Sequence, residues 1–138
     1  MPATPPEFVE TWAPRILGIL RIVAGLLFFE FGLAKLFGWP HVAMFDNLRL
    51  FSLLGAAGVV ELVGGFLVTI GLFTRWAAFV MSGEMAFAYF IGHAPKSFFP
   101  VQNGGTAAIL FCFLFFYFFV AGGGALSLDG VIWSTKGK

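Results

Sequence analysis

The chain has 138 residues, of which 59% are hydrophobic, 19% aromatic and only 11% charged, with 20 Phe, and its mean hydropathy is +0.94. A water-soluble domain carries about a quarter of its residues as charges, so the composition excludes one and makes lipid the natural solvent. Eight Lys and Arg against seven Asp and Glu leave no basic face for nucleic acid. The single Cys, Cys112, excludes an internal disulfide, a dithiol redox motif and a Cys-rich metal site.

A membrane-crossing helix needs about 20 apolar residues for about 30 Å of hydrocarbon, and the pattern predicts four. The first covers residues 15–37, after Pro14 and before the helix stop Gly38-Trp39-Pro40. The second covers 50–73, and the third covers 76–92, with Thr74 as its expected N-cap. The connection 93–105 holds Pro95, Pro100 and several polar groups, and should lie in the interface or dip back into the protein. The fourth span, 106–121, contains the Phe-rich run from Phe111 to Phe119 and ends at Gly122-Gly123-Gly124. Residues 1–14 are expected outside the membrane, 15–132 as the membrane domain and 133–138 as a tail.

No basic leader or small-residue cleavage site precedes the first apolar run, which argues against a cleaved signal peptide. Arg15, Arg21, Arg75, Lys136 and Lys138 fall on the side of the termini, and Lys35, Arg49 and Lys96 on the other. The excess places both termini in the cytoplasm. The expected fold class is all-α, an integral membrane four-helix bundle with both termini on the cytoplasmic side.

A charge at mid-membrane costs on the order of 2.5–3.5 kcal/mol, so the charges retained there are informative. They are Arg21, Glu30, Lys35, Glu61 and Glu84. Glu61 and Glu84 lie near mid-helix, beyond snorkelling reach, and each must be protonated, paired or facing a wet cavity. At about 100° per residue, Arg21 and Lys35 share one face with Gly18, Gly25 and Gly32. Glycines at that spacing admit a neighbouring backbone, so the face should turn inward, with Glu30 opposite.

Gly58, Gly64 and Gly65 leave similar room around Glu61 for a partner chain or a long cation. The expected pairing is Arg21 with Glu61, Glu84 or both, through a bidentate guanidinium; ions that merely clip helices together are the alternative. Glu61, Glu84 and Arg21 are the catalytic candidates. His41 and His93 lie in connections without nearby carboxylates, so neither a metal site nor haem ligation is expected. Cys112 reads as an apolar filler, and the Phe-rich helix as a wall towards lipid or another subunit.

Taken in order, Arg21-Ile-Val-Ala-Gly25, Gly32-Leu-Ala-Lys35-Leu-Phe-Gly38, Glu61-Leu-Val-Gly64-Gly65, Gly71-Leu-Phe-Thr74-Arg75, Asn103-Gly104-Gly105 and Ser127-Leu-Asp129 resemble the DoxX family of small four-helix membrane proteins, over about residues 15–132. Ser82-Gly83-Glu84-Met85-Ala86 leading to Tyr89-Phe90 and His93-Ala94-Pro95 is similar to one bacterial branch. Two positions depart from the pattern: Thr106 stands where many relatives are acidic, and Gly122-Gly123-Gly124-Ala125 where many have Gly-Pro-Gly.

The family takes its name from a subunit associated with a terminal quinol oxidase, and it includes the membrane part of a thiosulfate:quinone oxidoreductase. The resemblance therefore implies a multi-pass protein of the cell inner membrane in a quinone-linked redox setting. Arg21, Lys35, Glu61, Glu84, His93 and Asn103 are the candidate ligand-binding residues. No covalently bound cofactor or metal is expected; quinone or quinol is the candidate ligand, and any enzymatic role is that of an oxidoreductase subunit beside a cofactor-bearing partner. A non-catalytic anchor or assembly subunit is the alternative. A small proton-coupled transporter comes third, because no internal repeat or broken helix is evident. Expected partners are the lipid bilayer, with a redox subunit and a second copy of the chain both open, and no nucleic acid.

Overall fold

Glycine and proline divide a nearly continuous apolar chain into helices. The computed structural model describes residues 3–134; Lys136 and Lys138, used in the charge count, lie outside them. The described residues contain no strand.

Helix α1 runs Glu7–Phe37. It begins upstream of Pro14, which was expected to bound it, with Glu7 and Glu10 in its first turn, where acidic side chains suit the positive end of the helix dipole. It stops at Gly38, whose left-handed φ of 67° turns its N–H back to Ala34 O. Helix α2 spans Leu53–Ile70, and its N-cap Ser52 accepts a hydrogen bond from the Gly55 N–H. The expected start at Leu50 is too early, because Leu50–Ser52 lead in as non-helical chain.

Helix α3 spans Thr74–Ala88 and continues as one π-helical turn, Tyr89–His93. A 3₁₀ turn, Ala94–Lys96, and a one-turn helix α4, Pro100–Asn103, carry the chain to α5, Thr106–Ala121, and a short α6, Leu128–Ser134. By length and composition α1 and α2 are each long and apolar enough to cross a membrane, and α5 is a shorter apolar helix.

α1 packs on α2, and α3 on α5. The glycine stripe of α1 makes the first contact close, as its spacing predicts. A Cβ on Gly25 would lie 2.6 Å from Thr69 N, and one on Gly32 2.4 Å from Leu62 N. These contacts also fix the pair as antiparallel, since rising numbers on α1 meet falling numbers on α2.

The two pairs join through aromatic rings. Phe28 of α1 sets its ring edge against Phe111 and Phe115 of α5 at 4.9 and 4.6 Å between centroids. Phe115, Phe118, Met81 and Val68 are fully buried there. The Phe-rich helix is therefore a wall on one side only. Phe113, Phe116 and Tyr117 point outward, while Phe115 and Phe118 fill the core.

Candidate functional site

Arg21 and Lys35 share a face, but about 21 Å of helix separates them, and they serve different groups. Arg21 is 0% exposed and meets no carboxylate side chain directly. Its Nε donates to Gly123 O at 2.7 Å, its Nη1 to Val68 O and Thr69 O at 2.7 Å each, and its Nη2 to Leu126 O at 2.8 Å and Ala125 O at 3.3 Å. The expected pairing with Glu61 or Glu84 is thus overturned. The guanidinium instead satisfies the carbonyl end of α2 and the α5–α6 linker, where a cation suits the negative end of the helix dipole.

The same end of the molecule holds Asp129 of α6. Its Oδ1 accepts from the Phe73 N–H at 2.8 Å and its Oδ2 from the Thr74 N–H at 2.9 Å. Asp129 therefore does the N-capping of α3 expected of Thr74, whose buried hydroxyl has no partner among the described residues. Ser127 accepts from the Gly130 N–H at 3.1 Å, and Gly71, at φ 72°, lies so close that a Cβ would come 2.5 Å from Ser127 Cβ and 2.9 Å from Arg21 Nη1. Arg21, Gly71, Ser127 and Asp129 form one architectural knot.

Lys35 is the cation that reaches the carboxylates. Its Nζ lies 2.7 Å from Glu61 Oε1, with the Lys35 side chain 10% exposed and that of Glu61 4%. Gly58 gives the lysine stem its passage, since a Cβ there would touch Lys35 Cβ at 3.1 Å. Glu84 of α3 faces Glu61 within electrostatic range. Glu61 Oε2 and both Glu84 carboxyl oxygens are buried without a hydrogen-bond donor among the described residues. By charge count, one ammonium and two carboxyl groups balance when the pair holds one proton, the arrangement that a low-dielectric site favours.

On its other side the Lys35 ammonium sits 5.5 Å from the Phe45 ring centroid and 6.0 Å from that of Phe31. Phe45 belongs to the connection between α1 and α2, which also carries His41 and Asp46. His41 does have a carboxylate neighbour, contrary to expectation, with Nε2 2.7 Å from Asp46 Oδ1 on the surface. The sequence singles out His41 only as a connection histidine, and it points to neither Asp46 nor Phe45 as a site residue. The available signal was the Asp five residues after a His in a short polar connection, which alone names no partner.

His93 and Asn103 come together, but with each other. His93 Nδ1 is 3.0 Å from Asn103 O. The Asn103 amide donates to Ser97 O at 3.0 Å and to Tyr89 Oη at 3.3 Å, while its Oδ1 accepts from the Gly105 N–H at 2.8 Å. Asn103 thus folds the segment 89–105 back on itself. None of these hydrogen bonds reaches Lys35, Glu61 or Glu84.

Apolar helices held by a buried guanidinium at one end and enclosing a Lys–Glu–Glu cluster define a small helical membrane protein. The DoxX family model matches residues 16–94, and the chain belongs to that family. It is 43% identical over 125 residues to an uncharacterized protein of Haemophilus influenzae, covering 88% of this chain and 93% of that one. No solved structure matches. Arg21, Lys35, Glu61, Glu84 and His93 lie within the family match, whereas Asn103 and Asp129 lie beyond it.

Proposed function

We propose that this DoxX protein is a multi-pass inner-membrane subunit of a quinone-linked redox complex, and that Lys35, Glu61 and Glu84 form the proton-exchanging end of its quinol site. In this reading α1, α2, α3 with its π-helical turn, and α5 cross the bilayer as the domain 15–132, with both termini in the cytoplasm. The observation that carries it is the set of three buried carboxyl oxygens without donors beside a paired ammonium. A quinol presents two O–H donors, so acceptor oxygens of this kind fit it; when bound it supplies two electrons and two protons.

The chain's own residues do the proton half of that chemistry. Glu61 and Glu84 accept and release protons, and Lys35 holds the carboxylate charge and fixes Oε1. The chain offers no ligand set for an electron-carrying cofactor, so electrons would be exchanged with a partner subunit that carries a flavin, haem or sulfur-transfer centre. The anchor reading has one observation in its favour: Arg21, the most deeply buried cation, gives all its hydrogen bonds to backbone carbonyls and is wholly architectural.

Gentle purification followed by solvent extraction separates the two. Wild type is expected to carry quinone, and Glu61→Gln and Glu84→Gln to lose most of it while keeping their helicity. A wild type free of quinone, with both variants keeping fold and co-purifying chains, overturns the redox reading in favour of the anchor.

A further inference from the structure

Lys35 has two sides. One holds Glu61 at 2.7 Å. The other faces a polar cleft of about 260 Å³ that Val42 and Leu48 help to wall, with Phe45 beside the ammonium. His41 and Asp46 also line this cleft, and their side chains remain 71% and 52% exposed. The volume holds several water molecules, and the lining offers them polar partners. On the inner side, Met81 is fully buried with its sulfur packed against Gly64, one turn along α2 from Glu61.

We propose that this cleft is an aqueous proton port, through which the buried Glu61–Glu84 pair exchanges protons with the surface by way of Lys35. The groups that face the route are Lys35 of α1, His41 and Asp46 of the α1–α2 connection, Glu61 of α2 and Glu84 of α3. Lys35 passes one N–H proton to Glu61 Oε1, and the amine so formed takes a proton from water in the cleft. The His41–Asp46 pair replenishes that water at the surface, and Glu61 hands its proton on to Glu84. One proton enters for each that moves inward, and no other bond changes. Release runs the same steps in reverse. Glu61 Oε2 and the Glu84 oxygens, buried without donors, are the acceptors such a route needs.

The inference rests on the proton-exchanging reading of the cluster, but its test needs no quinone. The full chain in phospholipid nanodiscs is exposed to heavy water, and exchange of the carboxylic C=O band is followed by infrared spectroscopy, with Glu61→Gln and Glu84→Gln assigning the band. Leu48→Cys in a Cys112→Ala background places a thiol in the wall of the cleft. A charged, membrane-impermeant methanethiosulfonate should label it and slow exchange at least tenfold, and dithiothreitol should restore the rate in the same folded sample. Lys35→Met should slow exchange comparably. No labelling at residue 48, labelling that leaves the rate within twofold, or no carboxylic band dependent on Glu61 or Glu84 overturns the port. Quinone content is read separately, so its absence sinks the redox reading without touching this result.

Discussion

At the residue scale, the two inward cations of α1 divide the work between architecture and chemistry. Arg21→Leu leaves five carbonyls without their donor, and a loss of more than about 3 kcal/mol is expected from unfolding in detergent, since each buried polar group left unpaired costs about 1–3 kcal/mol. Adding Glu61→Leu should recover nothing, because the two side chains do not touch; additive losses are the expected outcome, and recovery would mean that they pair. Lys35 should behave in the opposite way. Lys35→Met leaves Glu61 buried without its cation, and Lys35→Met with Glu61→Gln should regain about 0.5–3 kcal/mol relative to the sum of the single losses in a double-mutant cycle. Asp129→Ala removes both acceptors from the start of α3, and a loss of about 0.5–2 kcal/mol is expected from the same measurement.

At the element scale, the contact between α1 and α2 depends on missing side chains. Gly32→Ala puts a carbon 2.4 Å from Leu62 N, a backbone atom that cannot swing away, so the helices must separate at a cost of about 1–3 kcal/mol. Gly83 lies in α3 with nothing within 4 Å of a built Cβ. Gly83→Ala should therefore stabilise the protein by up to about 1 kcal/mol through helix propensity alone. Equal effects of the two substitutions on the unfolding midpoint would contradict this packing. The contrast also shows what the sequence carries: Gly25 and Gly32 are legible as a packing stripe because they recur with Gly18 on one face, and Gly83 belongs to no such stripe.

At the scale of the whole molecule, the helix order predicts a sidedness. In a Cys112→Ala background, Ala3→Cys and Ser134→Cys should react with an impermeant thiol reagent from the cytoplasmic face, and Lys96→Cys from the opposite face. Reaction of all three from one side would contradict three crossings before Lys96 and one after it. The distribution of polar groups follows the same axis. The Arg21–Asp129 knot gathers the α2–α3 turn and the α5–α6 linker at one end, and the Asn103 hub ties back the segment 89–105 beyond the end of α3. The Lys35–Glu61–Glu84 cluster lies between them and carries the acceptor oxygens without donors.

The apolar composition determined the membrane character, and the glycine and proline stops marked the helices to within a few residues. Helical periodicity set the inward face of α1, because side-chain direction repeats with the backbone and needs no partner to define it. Which carboxylate meets which cation depended instead on the axial register of antiparallel helices. The connection over residues 38–52 leaves that register free, and the close fit of Gly25 on Thr69 and Gly32 on Leu62 sets it. With the register fixed, Arg21 falls opposite the carbonyl end of α2 and Lys35 falls within reach of Glu61. The cap that Asp129 provides and the cleft beside His41 likewise exist only once distant segments pack, since neither has a local pattern in the chain.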